Sequence, residues 1–188
     1  ATAEENADSI KALPADGVAV YPADDACAPI WEKASEHCRR RTYATQPGVS
    51  ADLTAEVMTL GGTTEVRIHA AEGSAMTRLD IGGAHNGHNA AAAAAAAFSA
   101  GVKFDAVIQG LQAFKPVARR GVRHQLRPEL LLIDDTYNAN PDSMRAGIDV
   151  LTSSRGPLVL IAGDMGEVGT RGAEFHQEIG LYAKEKGV

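Results

Sequence analysis

Residues 131–143, Leu-Leu-Ile-Asp-Asp-Thr-Tyr-Asn-Ala-Asn-Pro-Asp-Ser, place two carboxylates directly behind an apolar run and follow them with a phenol and two amides. Four apolar residues at 130–133 fit a buried strand. Asp134 and Asp135 then stand at its carboxyl end, where open α/β sheets bind their ligands. Ionised carboxylates accept hydrogen bonds, and Tyr137, Asn138 and Asn140 add both donors and acceptors, so the turn has the chemistry of a binding site for a polar ligand. The same residue types also make a plain strand-to-helix turn, with Asp142 or Ser143 as the helix cap. The residues alone leave both readings open.

A second polar group opens the alanine-rich run at 90–97. An amide such as Asn86 or Asn89 at a helix mouth can pair with the N6 and N7 edge of adenine, or it can cap the helix. His85 and His88 lie three residues apart but lack the further ligands of a zinc site, so no metal site is expected there. Residues 163–172 hold four glycines after an apolar run, a loop whose backbone amides can approach a ligand closely. His176 beyond it is either a general base or a histidine on a helix surface.

Three passages, in order, resemble signatures of the Mur ligases. They are Gly-Ala-His-Asn-Gly-His-Asn at 83–89, Asp-Asp-Thr-Tyr-Asn-Ala-Asn-Pro-x-Ser at 134–143, and Ile-Ala-Gly-Asp-Met-Gly-Glu-Val-Gly at 161–169. The resemblance runs from about Leu13 to Val188. It implies an ATP-dependent ligase of cytoplasmic peptidoglycan-precursor synthesis that adds D-alanyl-D-alanine to a UDP-N-acetylmuramoyl tripeptide through an acyl phosphate. ATP and Mg are the implied cofactors, with magnesium ligands mainly outside this chain. Residue by residue, the resemblance sets Asn89 against adenine, gives Arg120 a nucleotide contact, and puts Asp135 near the ribose hydroxyls. His85, Asn86, Tyr137, Asn138 and Asn140 would line the substrate cleft, and no catalytic residue is assigned. Ala118 and Arg119 stand where the family carries Pro and Gly before that arginine, Ala84 replaces an Arg, Pro22 replaces an Asn, and Asn6 falls near an expected carbamoylated lysine. The phosphate loop Gly-x-x-x-x-Gly-Lys-Ser/Thr does not occur, since no lysine follows a glycine. The family carries that loop upstream, so this chain alone is expected to be inactive. Two alternatives are a nucleotide-binding module without turnover and a structural, partner-binding domain.

Composition narrows the classes. With 188 residues, 45% hydrophobic and 22% charged, the chain has a globular makeup of one or two domains. A net charge of -6 and no basic stripe argue against nucleic-acid binding. The alanine run is too short and too weakly apolar to span a bilayer, so no membrane insertion is expected. Cys27 and Cys38, if both lie on a helix at 25–38, are roughly 16 Å apart, too far for a disulfide, and a reducing cytoplasmic compartment is expected.

Positioning these groups requires an α/β chain. Residues 3–13 read as a helix, 17–21 as a strand, and 25–38 as a helix ending on Arg39, Arg40 and Arg41. Segments 41–45, 52–60, 65–70 and 76–81 read as an antiparallel layer, with Met76, Leu79 and Ile81 among its apolar positions and a hairpin turn at 71–74. Helices follow at 86–100 and 104–114. Beyond Lys115-Pro116 the order strand 130–135, helix 142–152, strand 158–162, helix 171–186 predicts a parallel sheet with crossover helices. The expected fold class is therefore α/β. With that order the resemblance implies that residues 1–115 are the later part of a central ATP-binding (ATPase) domain and that 116–188 are the beginning of a Rossmann-like parallel α/β C-terminal domain.

Overall fold

The computed structural model describes residues 2–60, 62–166 and 168–188. They fall into two compact units. The first comprises 1–58, 65–79 and 86–113, and the second comprises 59–64, 80–85 and 114–188.

In the first unit, α1 (Thr2–Lys11) buries Ala7 and Ile10 against Ala19 and Tyr21 of β1 (Val18–Pro22) and Ala34 of α2 (Ala28–Ala34). Trp31 packs on this cluster, and its indole N–H donates to the Ala3 carbonyl at 3.0 Å. The helix expected at 25–38 is shorter than its pattern. It runs only from Ala28 to Ala34, with Pro29 in its first turn, and Cys27 and Cys38 lie outside it as free thiols. The three arginines are not a helix end. They open β2 (Arg39–Ala44), where Arg41 forms a two-pronged pair with Glu72 at 2.9 and 2.7 Å.

A five-stranded sheet has the order β1-β2-β3-β4-β5, adding β3 (Leu53–Leu60), β4 (Thr63–Ala70) and β5 (Gly73–Leu79). β2 runs parallel to both β1 and β3, so segment 41–45 does not belong to an antiparallel layer. A helix at 28–34 lies between β1 and β2, which supplies the crossover a parallel pair requires. Only Ala71 and Glu72 join β4 to β5, too few for such a crossover, so these neighbours form the expected hairpin. β4 alternates as its sequence predicts, with Thr64, Val66 and Ile68 fully buried. In β5 the inward face holds Thr77 and Leu79, while Met76 is 42% exposed. Counting back by twos from Leu79 reaches the threonine, and the methionine falls on the outer face.

α3 (Ala84–Ser99) buries Ala90, Ala91, Ala94, Ala95 and Phe98. Its alanines permit a close approach. A Cβ placed on Gly87 would collide with the Val57 side chain, so β3 passes directly against the helix backbone. Phe98 stacks on Phe104 of α4 (Phe104–Ala113) with centroids 5.8 Å apart.

The second unit contains β6 (Val122–Arg127) and β7 (Leu130–Asp134), an antiparallel pair with a bulge between Gln125 and Arg127. Then come α5 (Pro141–Thr152), a 3-10 turn at Gly169–Arg171, and α6 (Gly172–Glu185). Ile148, Met165, Ile179 and Ala183 make its core. The chain is mixed α/β. The second strand of the expected alternation is not formed: residues 158–162 carry no regular secondary structure, and among the described residues β7 pairs only with β6. Val159 and Ile161 are correspondingly 73% and 90% exposed. A strand exists only through its ladder partners, and this apolar run has none here.

Candidate functional site

The turn behind β7 is built from its own side chains. Asp134 accepts from the Thr136 hydroxyl at 2.7 Å and from the Thr136 N–H at 3.2 Å, an Asx-type bend that its sequence favours. The hydrogen bond from the Thr136 hydroxyl, joined by the nearby Arg119 charge, holds the Asp134 carboxyl below its ordinary range. Arg119 reaches the same residue, donating Nε to Thr136 Oγ1 at 3.1 Å and Nη2 to the Thr136 carbonyl at 2.8 Å. The Arg119 carbonyl accepts from the Tyr137 N–H at 3.0 Å. On this base the Arg120 guanidinium lies 4.0 Å from the centroid of the Tyr137 ring. A cation stacked on an exposed aromatic face, with no ion pair among the described residues, is available to an anion.

The two aspartates therefore differ in role. Asp134 is committed to the turn, whereas Asp135 is exposed and makes no hydrogen bond or ion pair among the described residues. Gly147 of α5 leaves space beside it: a Cβ there would stand 3.6 Å from Asp135 Oδ2. His85 feels the same carboxylate. Burial pushes the imidazole pKa down, and the Asp135 charge opposes that shift without overcoming it.

Asn140, expected to line a cleft, is the N-cap of α5. Its Oδ1 accepts from the Ser143 N–H at 2.8 Å while the Ser143 hydroxyl accepts from the Asn140 N–H at 3.0 Å, a reciprocal capping box with Pro141 in the first turn. The cap is thus neither Asp142 nor Ser143 alone. The Asn138 side chain also serves the turn, accepting from the Ala139 N–H at 2.8 Å. Tyr137 remains exposed.

α3 begins at Ala84, so Asn86 is the third helical residue and not an N-cap, and Asn89 is exposed one turn further on. Between them, His88 turns inward. Its Nδ1 lies 3.2 Å from Thr45 Oγ1 and its Nε2 3.4 Å from the Tyr43 hydroxyl. Asp24 closes this group by accepting from the Thr45 N–H at 2.6 Å and the Gln46 N–H at 2.9 Å. Burial would raise the Asp24 pKa, but those two amides, its own N–H and the His88 charge outweigh it and hold the carboxyl low. Burial raises the Tyr43 phenol, and Asp24 and Asp25 add to that shift. His88 is accordingly a packing and hydrogen-bonding residue. Among the described residues no group of three or more His, Cys, Asp or Glu could hold a metal ion.

His176 is not a loose surface base either. Its Nδ1 lies 2.7 Å from the Gly172 carbonyl and its Nε2 accepts from the Met165 N–H at 3.1 Å, so the ring is the Nδ1-protonated tautomer and pins the loop before α6.

Arg119 and Thr136 escaped the sequence reading. Thr136 carries a local signal, Asp-x-Thr, and the φ of 66 at Arg119 falls where the resemblance sets a family glycine, the residue that adopts this conformation freely. β6 escaped it too, because Val122–Arg127 is mostly polar and exposed, and the Pro128-Glu129 turn is its main mark.

Residues 119–188 match the family model of the Mur ligase glutamate ligase domain. The chain is 36% identical over 178 residues to the UDP-N-acetylmuramoyl-tripeptide--D-alanyl-D-alanine ligase of Escherichia coli (strain K12), covering 94% of this chain and 39% of that protein. The ligase of the same name from Haemophilus influenzae is 36% identical over 174 residues, covering 92% of this chain and 37% of that protein. Among solved structures, MurF from Acinetobacter baumannii aligns with a TM-score of 0.87 and 32% identity over 95% of this chain and 39% of that one. The chain thus spans 37% to 39% of the length of these relatives. Ordered motifs, a matching fold and identity of about one third along nearly the whole chain have one common source, and the chain belongs to the Mur ligase family.

Proposed function

We propose that this chain serves an ATP-dependent carbon-nitrogen ligase that joins D-alanyl-D-alanine to a UDP-N-acetylmuramoyl tripeptide in the cytoplasm. Residues 1–115 contribute to the central ATP-binding domain and 116–188 to a Rossmann-like C-terminal domain. The observation that carries the reading is the Arg120 guanidinium stacked on Tyr137, two residues beyond Asp135, a carboxylate with no hydrogen bond or ion pair among the described residues. An arginine fork suits phosphate and a strand-end carboxylate suits a ribose diol, while the Asn89 amide suits a base edge. ATP would supply a phosphoryl group to the tripeptide carboxylate with release of ADP, and the dipeptide amine would then displace inorganic phosphate from the acyl phosphate as the amide bond forms.

This chain's residues have a narrower task. Arg120 neutralises phosphate oxygens, Asp135 orients the sugar, and the turn at 134–140 holds both at one strand end. His85, Asn86, Tyr137 and Asn138 are the cleft residues of the proposal. The name shared by the Escherichia coli and Haemophilus influenzae relatives supports the substrate pair. Magnesium would neutralise further phosphate charge, and its ligands are proposed to lie mainly elsewhere in the ligase.

The test is steady-state phosphate release by the ligase carrying this chain, with both substrates and magnesium present. Arg120→Ala and Asp135→Ala should each raise the KM for ATP about 10-fold or more, the loss expected for one charged hydrogen bond, and Asn89→Ala should do so by a similar factor. Unchanged ATP affinity in all three variants would overturn the site. Phosphate release independent of D-alanyl-D-alanine would overturn the substrate assignment.

A further inference from the structure

Arg120 stands between two left-handed residues, Arg119 at φ 66 and Gly121 at φ 68. Glycine adopts this conformation freely and arginine does not; Arg119 is the one non-glycine residue with positive φ among the described residues. Its own side chain holds it there. The two guanidinium bonds to Thr136, with the Arg119 carbonyl receiving the Tyr137 N–H, fasten loop 117–121 to the turn behind β7. Thr136 is in turn anchored on Asp134. The residues that immediately follow the two fastened positions, Arg120 and Tyr137, are the stacked cation and ring. A backbone conformation unfavourable to its residue, maintained by side-chain bonds next to a cation with no ion pair among the described residues, is the pattern of strain kept for a site.

We propose that Arg119 is a positioning residue: by latching its loop onto Thr136 it aims the Arg120 guanidinium, braced along the Tyr137 ring, at an anionic group. The proposal rests on the reading above, in which that group is a nucleotide phosphate. Arg119 does not touch the anion, because its fork is directed at Thr136. An exposed arginine without such a base samples many rotamers, and ordering it on binding weakens affinity. The latch removes part of that ordering from the binding step.

The experiment compares Arg119→Gly, Thr136→Val, Thr136→Ser and Arg120→Ala in the ligase carrying this chain. It measures ADP affinity by calorimetry, the KM for ATP and for D-alanyl-D-alanine, and the thermal midpoint. Arg119→Gly removes the backbone conflict together with the latch, so the midpoint should hold or rise while ADP affinity falls on the order of tenfold, as for one misaligned charged hydrogen bond. The KM for the dipeptide should not move. Thr136→Val should weaken ADP in the same direction, and Thr136→Ser, which keeps the hydroxyl, should restore it. If Arg120→Ala weakens ADP but Arg119→Gly and Thr136→Val do not, the latch is refuted and the nucleotide reading survives. If Arg120→Ala has no effect, the nucleotide reading fails and the proposal falls with it. A fall in midpoint for Arg119→Gly with unchanged ADP affinity would make Arg119 a structural residue only.

Discussion

At the end of β2 the chain turns at Thr45, and at the end of β7 it turns at Thr136. In both places an aspartate collects the threonine N–H and hydroxyl. The aspartates arrive by different routes. Asp24 comes from 21 residues earlier in the chain and also takes the Gln46 N–H, so its carboxylate ties two separate segments together. Asp134 comes from two residues earlier and only shapes its own bend. The first bracket is half-buried beside His88 and Tyr43; the second is solvent-facing. The two units thus use the same bracket to opposite ends. A long-range bracket consumes polar groups to hold the fold, while a local one leaves its neighbours Asp135 and Arg120 for a ligand.

The largest effect that would break this contrast is at Asp24. Asp24→Ala removes an acceptor of three hydrogen bonds at a partly buried carboxylate and should lower unfolding stability by about 2 kcal/mol in urea titration. The effect has a pH signature. The folded-state pKa is depressed below the ordinary 3.8, so the contribution of Asp24 is complete above that value and is lost as pH falls through the depressed one. Asp24→Asn should therefore flatten the acid limb of the stability curve. An unchanged limb would show that the bracket does not depend on charge.

The capping box comes next. Asn140→Ala leaves the Ser143 amide of α5 without its side-chain acceptor and should cost about 1 kcal/mol, again by urea titration. If nucleotide affinity fell and stability did not, Asn140 would be a ligand contact in place of a cap.

The smallest effect is expected at Asp134. Its bend is exposed and local, so Asp134→Ala should leave global stability within measurement scatter while amide exchange at Thr136 and Tyr137 quickens, as read by NMR. Destabilisation equal to that of Asp24→Ala would erase the distinction between the two turns.

Several features are legible in the amino-acid sequence because their physics closes within a few residues. The Asp-Asp-Thr-Tyr bend, the helix starting at Pro141, the two-residue alternation through Val66 and Ile68, and the close-packing alanines of α3 all follow from short-range rules. Where the sequence misleads, a distant partner makes the choice. Arg39, Arg40 and Arg41 suit a helix end by the dipole argument, yet the edge offered by β1 draws them into a parallel strand.

The chain's own order of residues thus fixes a catalogue of local chemistry: family motifs in order, an aspartate pair at a strand end, capped and amphipathic helices. Folding then selects which members of that catalogue are used internally and which are left for a ligand. Asp134, Asn138 and Asn140 are occupied by backbone amides, Asp135 is not, and Arg119 holds a conformation that its residue type disfavours. A hydrogen-bonding group has limited capacity, and which neighbour claims it depends on where the folded chain brings other donors and acceptors. The run at 158–162 obeys the same logic in reverse: it has the composition of a strand, but strand identity belongs to a pair and not to a segment.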